Sequence, residues 1–138
     1  MPSRDIYHNT VKIALEKSGW QITADPLFIK YGEINLYIDL AADNMLAAEK
    51  DGEQIAVEIK SFSGLSLIHE FHAAVGQFIN YRIALQKTKS DRKLYLAIEK
   101  KTYQTLFKHI LVKDVIAIQQ INYFVFDAEK KEINQWQT

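Results

Sequence analysis

Glu58, Lys60 and Asp39 are ionisable residues within apolar segments that have the pattern of strands. Glu58 and Lys60 are two positions apart, so in a strand both side chains project from the same face. Asp39 precedes Glu58 by 19 residues and is expected on the face opposite Ile38 and Leu40. If the two strands are neighbours, the two carboxylates converge on one point. The spacing by itself also fits an exposed ion pair on a sheet face.

Two converging carboxylates could bind a divalent metal ion. Carboxylate oxygens and waters suit Mg²⁺ or Mn²⁺, which prefer octahedral oxygen coordination. Such an ion would lower the pKa of bound water and offset charge that develops on a phosphoryl oxygen. Lys60 would then orient or deprotonate the attacking water, or stabilise the developing negative charge. Asp39, Glu58 and Lys60 are therefore candidates for metal-dependent phosphoryl transfer.

Gln77 and Tyr81 form a second candidate pair on the helix that follows Lys60. They are four positions apart, so they lie on one stripe that borders the apolar arc of this helix. The same stripe carries Ala73 and Ala84, which are small enough to let the helix pack closely on the sheet. The alternative is a tyrosine at the edge of the core with a hydrogen-bonded glutamine.

The order of the helices and strands that must position these residues predicts a mixed α/β (α+β) domain. Strand, helix and strand in succession after Glu53 predict a parallel crossover. Asp51-Gly52 is typical of a two-residue hairpin turn, and a loop containing Asp25-Pro26 is expected after Trp20. The predicted helices are Asp5–Ser18, Ser66–Gln86 (with Ser66 as N-cap) and Lys101–Ile118; the predicted strands are Glu33–Ala42, Asn44–Lys50, Glu53–Ser61, Lys93–Glu99, Tyr123–Asp127 and Ile133–Trp136.

Composition restricts the class of protein. The 138 residues are enough for one domain, and no apolar run approaches the length of a membrane span. The absence of cysteine excludes disulfides, thiolate zinc sites and cysteine nucleophiles, and favours a cytoplasmic location. The net charge is zero, yet residues 1–60 contain 6 Lys/Arg against 10 Asp/Glu, and residues 61–138 contain 11 against 7. We expect the basic segment Arg82–Lys113 to flank the site and contact phosphates.

Together, Asp39, Glu58-x-Lys60 and Gln77-x-x-x-Tyr81 resemble the PD-(D/E)XK nuclease superfamily in its Q-x-x-x-Y variety. Ile38 stands where that motif has its proline. The segments IDLAADNMLAAEKDGEQIAVEIKSF (38–62) and FHAAVGQFINYRIAL (71–85) are similar to the fdxN-element excision controlling factor XisH family of cyanobacteria, and the similarity spans essentially the whole chain.

The resemblance implies a single restriction-endonuclease-like domain, with a mixed β-sheet flanked by helices. It implies metal ligation by Asp39 and Glu58, a catalytic role for Lys60, and supporting roles for Gln77 and Tyr81, with Mg²⁺ or Mn²⁺ as cofactor. The implied partners are DNA, a second small excision-controlling factor, and a site-specific recombinase that removes a DNA element during heterocyst differentiation.

The sequence is compatible with two functions. The intact Asp–Glu–Lys trio favours a metal-dependent DNA endonuclease. Zero net charge and the family's accessory role favour a non-catalytic protein that uses the nuclease fold to bind DNA or a partner. His8 and Glu16 are set aside, with solvent exposure preferred for both. A homodimer is expected, with exposed aromatic side chains among Tyr103, Phe107, Tyr123, Phe124 and Trp136.

Overall fold

A computed structural model of the protein describes residues 5–44, 52–64 and 66–138. Its elements in chain order are α1 (His8–Lys17), β1 (Trp20–Ala24), β2 (Leu27–Tyr31), β3 (Ile34–Ile38), β4 (Leu40–Asn44), β5 (Glu53–Lys60), α2 (Leu67–Lys87), β6 (Lys93–Glu99), α3 (Lys100–Leu106), α4 (Ile110–Ile118), β7 (Tyr123–Asp127) and β8 (Glu132–Gln137). None of the helices described is long and apolar enough to cross a membrane.

The central sheet is mixed, with strand order β1-β4-β5-β6-β7-β8. Strands β5, β6 and β7 are parallel, and the outer neighbours pair antiparallel. Helix α2 connects β5 to β6, as the predicted crossover requires, because parallel neighbours cannot be joined by a tight turn. The predicted fold class, a mixed sheet flanked by helices, is confirmed.

Each face of the sheet supports its own core. On one face, Val11 and Leu15 of α1 pack with Ile55, Val57 and Ile59 of β5. The other face is covered by α2, α3 and α4, and Ala56 of β5 belongs to that core. The alternation predicted for β5 is therefore confirmed, and it places Glu58 and Lys60 on the face that α2 covers.

The predicted strand Glu33–Ala42 is wrong as a single element. The chain forms two strands, β3 and β4, with a break at Asp39. Strand β3 pairs with β2 in a separate two-stranded sheet, whereas β4 joins the central sheet. As a result Ile38 and Leu40 enter different cores rather than sharing one face.

The segment predicted as a loop after Trp20 contains strands β1 and β2. A hairpin signal was present, because two strand-like runs flank the two residues Gly32-Glu33. Gly32 has φ +61°, a conformation that glycine adopts without a steric penalty. Strand β1 forms the edge of the central sheet by pairing with β4.

The predicted helix Lys101–Ile118 is also two elements. Leu106 and Val112 are both buried in the same core. In one uninterrupted helix, residues six apart would point about 120° away from each other. The chain therefore ends α3 at Leu106, becomes extended at His109, and starts α4 in a new direction.

Other predictions concern caps, turns and aromatic exposure. The Ser66 N-cap is confirmed, since its Oγ accepts the His69 N–H at 3.3 Å. The predicted strand Asn44–Lys50 and the Asp51-Gly52 turn lie largely outside the described residues. On either side of this gap, Asn44 pairs with Glu53.

The expectation of exposed aromatic side chains is mostly wrong. Tyr123 and Phe124 are buried, and Tyr103 and Phe107 pack around Tyr123 with ring centroids 6.0 and 5.1 Å away. Trp136 is the exposed member of the five, at 37%.

Candidate functional site

The site begins at the break between β3 and β4. Leu40 pairs with Val57, which places Asp39 beside Glu58 on the neighbouring strand. The Ile59 N–H donates to Asp39 Oδ2 at 2.8 Å, and the Asp39 N–H approaches Glu58 Oε1 at 3.4 Å. These reciprocal contacts hold the two carboxyl groups together at one end of β5, as their predicted convergence requires.

Burial controls the charge of this carboxyl pair. Glu58 is 7% exposed. Burial raises the pKa of Glu58 to about 8, with a further contribution from the charge of Asp39. Burial also raises the pKa of Asp39 above its ordinary value of 3.8. Burial therefore favours the protonated form of Glu58, and a side-chain hydrogen bond to Asp39 adds to the rise in the Glu58 pKa.

Lys60 ends β5 on the same face as Glu58 and is half-buried. Its positive charge opposes the rise in the Glu58 pKa, which shows that the ammonium lies within electrostatic range of the pair. A cation next to two carboxyl groups partly offsets the cost of removing them from water.

Helix α2 brings Gln77 and Tyr81 to the site. The Gln77 Nε2 donates to Tyr81 Oη at 3.2 Å. Burial and the nearby charges of Glu58 and Asp39 raise the pKa of Tyr81 to about 12, so the hydroxyl lies within electrostatic range of the carboxyl pair. The Gln77 Oε1 is buried and accepts no hydrogen bond from any residue that the structure describes. The Tyr81 ring also belongs to the core on the sheet face that α2, α3 and α4 cover, called here the α2-side core.

His8 and Asp5 are further polar residues at this site. His8 is 4% exposed, so the preferred solvent exposure was wrong for this residue, whereas Glu16 is exposed. The His8 Nε2 lies 2.7 Å from Asp25 Oδ1. The electrostatic effect of His8 lowers the pKa of Asp39 and so opposes the effect of burial. Asp5 Oδ2 accepts the Ser61 N–H at 2.9 Å, next to Lys60.

The available sequence signal for His8 was its spacing from Lys12, which follows it by one helical turn. In the structure, Lys12 Nζ bonds the same Asp25 carboxylate at 2.8 Å. The burial of His8 nonetheless depends on how α1 packs on the sheet, which spacing does not reveal.

The donor set fits a hard divalent cation. Within the described ranges, no group of three or more His, Asp and Glu side chains is arranged to hold an ion. Asp39 and Glu58 would therefore supply the protein ligands, and waters would fill the remaining positions, which is the usual arrangement for Mg²⁺. A divalent ion would take the place of a proton on the carboxyl pair, and Gln77 Oε1, which has no partner within residues 5–44, 52–64 and 66–138, would accept from a bound water.

The basic segment Arg82–Lys113 does not flank the site as a whole. Lys93 pairs with Ile55, whereas Ile98 pairs with Lys60, so Lys93 lies about 17 Å along the strands from the site. Arg82 and Arg92 are used inside the fold: Arg82 donates to the Gln119 carbonyl at 2.8 Å, and Arg92 to Asp43 Oδ1 at 2.8 Å. Lys100 and Lys101 directly follow β6, at the same end of the parallel strands as Lys60 of the site.

Comparison with known proteins identifies close relatives. A family model described as XisH protein matches residues 1–134. An XisH family protein from Nostoc punctiforme has 49% identity and a TM-score of 0.86, covering 97% of this chain and 100% of that one. A fdxN element excision controlling factor protein from Anabaena variabilis has 48% identity and a TM-score of 0.87, covering 98% and 100%. A search of curated proteins finds no match.

Proposed function

Because the chain belongs to the XisH family, whose model matches residues 1–134, we propose that it is a DNA-element excision controlling factor with divalent-metal-dependent endonuclease activity. The relative from Anabaena variabilis, which carries the name of an fdxN element excision controlling factor, supports the first part. The buried Asp39–Glu58 pair beside Lys60 carries the second part, because two adjacent carboxyl groups with raised pKa values favour a divalent cation.

Each residue of the site has a definite role in this mechanism. Asp39 and Glu58 would hold Mg²⁺ or Mn²⁺, and the ion supplies Lewis acidity at a phosphodiester oxygen and a more acidic water. Lys60 would orient the attacking water through Nζ and offset charge that develops on the phosphate. Gln77 would accept a hydrogen bond from a water at its free Oε1, which orients the carboxyl groups indirectly. Tyr81 would donate a hydrogen bond from its hydroxyl to a phosphate oxygen and keep its proton.

The alternative is a non-catalytic accessory protein that uses the same fold to bind DNA or a partner. The pair of carboxyl groups without a third acidic or histidine ligand, among the residues described, favours this alternative. In either case we place the protein in the cytoplasm with DNA, a second small excision-controlling factor and a site-specific recombinase as partners. We also expect a homodimer, which sedimentation equilibrium would distinguish from the 16.0 kDa monomer.

Nicking of supercoiled plasmid in Mn²⁺ or Mg²⁺ tests the endonuclease function. Glu58→Gln should lower the rate at least about 100-fold, since it removes a ligand charge without changing size. Glu53→Gln is the matched control, because Glu53 lies on the same strand but is exposed at the far end. Absence of nicking by the wild-type protein, together with retained DNA binding, would support the accessory role instead.

A further inference from the structure

The β2–β3 hairpin has two chemically different faces. Its inner face carries Ile29, which is buried, and Leu27 and Leu36, which pack on the α2-side core. The register pairs Phe28 with Tyr37 and Lys30 with Asn35. Because side chains alternate along a strand, these four residues share the other face, called here the outer hairpin face.

The outer hairpin face combines exposed rings with polar groups. Phe28 is 50% exposed and Tyr37 36% exposed, and their ring centroids are 5.3 Å apart with planes inclined by 56°. Lys30 and Asn35 are exposed beside them. Large exposed rings next to a cation are uncommon on a surface that only faces water, and they are typical of single-stranded nucleic acid sites.

The outer hairpin face lies directly upstream of the carboxyl pair. Tyr37 precedes Asp39 by two residues, which corresponds to about 7 Å of extended chain. That length is similar to the axial rise of about two nucleotides in a stacked strand. A strand with its phosphate at the Asp39–Glu58 pair would span this same length with about two nucleotides.

We propose that the outer hairpin face binds unpaired bases of the DNA strand that enters the site, and that the preferred substrate contains a single-stranded or forked segment. The identity of the ligand as DNA rests on the proposed function. Phe28 and Tyr37 stack on bases, Lys30 neutralises a phosphate, and the Asn35 amide bonds a base edge. Bases within an intact duplex are stacked on each other and do not offer their planes, so the face selects unpaired segments.

Fluorescence anisotropy with labelled oligonucleotides tests this selection. Binding is measured in EDTA, so that it does not depend on the metal, with a single strand, a fork and a duplex that share one sequence. Phe28→Ala and Tyr37→Ala should each weaken binding of the single strand and the fork about tenfold, and binding of the duplex less than about twofold. Phe28→Trp should restore affinity.

Ile118→Ala is the matched control, since Ile118 is 76% exposed on α4 and lies outside the hairpin. Thermal unfolding of each variant checks the fold, and Lys30→Gln and Phe28→Leu provide milder substitutions if an alanine variant is unstable. Unchanged affinity in the folded variants, or an equal loss with all three DNAs, would overturn the proposal. A change in self-association alone, seen by sedimentation, would also overturn it and assign the face to a second copy.

The outcomes separate this inference from the endonuclease function. Wild-type protein that selects single strands through Phe28 and Tyr37 but never nicks DNA would leave the inference standing and remove the endonuclease. Wild-type protein that nicks DNA, with hairpin variants that bind and nick normally, would remove the inference alone.

Discussion

At the residue scale, the surroundings of Glu58 favour its protonated form far more than water does for a free glutamate. The Glu58 side chain is almost fully buried next to a second carboxyl group, and its pKa rises from 4.5 to about 8. The proton on Glu58 is the component that a divalent ion would replace. Metal binding and proton release are therefore expected to be linked at this site.

Mn²⁺ binding should release about one proton near pH 7, because Glu58 must ionise to bind the ion. Affinity should rise about tenfold per pH unit between about pH 6 and 8, and level off above the Glu58 pKa. Titration calorimetry in two buffers of different ionisation enthalpy measures both quantities. Asp39→Asn should abolish binding and Glu53→Gln should not affect it. Binding that is independent of pH in this range would contradict the assignment.

A substitution at Gln77 tests whether this residue has a functional or only a structural role. Its Oε1 is buried without a partner in the described part of the chain, which normally costs stability. Gln77→Met removes that oxygen with little change in size, so the free energy of unfolding should change by less than about 1 kcal/mol. If Gln77 orients the site, plasmid nicking should still fall about tenfold. A large loss of stability with normal nicking would assign Gln77 to the structure alone, and Tyr81→Phe, which keeps the buried ring, serves as the parallel variant.

At the element scale, the interruption between β3 and β4 creates the site. A continuous strand would have kept Ile38 and Leu40 on one face, but the structure sends them into different cores. The chain leaves the hairpin at Ile38 and enters the central sheet at Leu40, so Asp39 lies at the junction, where its carboxylate meets the Ile59 N–H. The hairpin and Asp39 are thus parts of one continuous segment, and β5 brings Glu58 to it.

The position of β6 determines which lysines can contact DNA at the site. Lys100→Gln with Lys101→Gln should weaken DNA binding and reduce the slope of log affinity against log salt by about 1.4 to 1.8, because each phosphate contact contributes roughly 0.7 to 0.9. Lys87→Gln with Lys89→Gln changes the charge equally at the far end of α2 and should have little effect. Anisotropy measured at several salt concentrations provides the slopes. A stronger effect of the Lys87 and Lys89 pair would place the DNA at the opposite end of the sheet.

At the scale of the whole molecule, the two carboxyl groups affect the stability of the fold. The pKa values of Glu58 and Asp39 are both raised in the folded protein, so the folded state binds more protons than the unfolded state above pH 4.5. Stability therefore falls as the pH rises from about 4.5 to about 8. A divalent cation that binds only the folded protein would reverse this loss.

Urea unfolding of the metal-free protein at pH 5, 6, 7 and 8 should show this decrease, on the order of a few kcal/mol in total. Glu58→Gln should make the profile flatter, because glutamine does not ionise, and the difference between the two proteins cancels the other titrating groups. Equal profiles for wild type and Glu58→Gln would show that Glu58 ionises normally. Addition of Mn²⁺ should stabilise the wild type mainly at pH 7 and 8.

Local patterns were sufficient for much of the fold and part of the site. Alternation in β5 correctly placed Glu58 and Lys60 on one face, because side-chain direction in a strand depends only on position along the strand. Helical spacing correctly paired Gln77 with Tyr81, now joined by a hydrogen bond. The crossover from β5 through α2 to β6 followed from the order of the elements. The resemblance also pointed to the correct family.

Other features were decided only by tertiary structure. The break at Asp39 and the independent β2–β3 hairpin depend on which strands pair, and pairing is a long-range property that alternation does not encode. The location of the basic segment depends on the direction of β6, and the burial of His8 depends on the packing of α1. The raised pKa of Glu58 arises because the fold buries this carboxyl group and places Asp39 beside it, whereas in the unfolded chain it would ionise with its ordinary pKa.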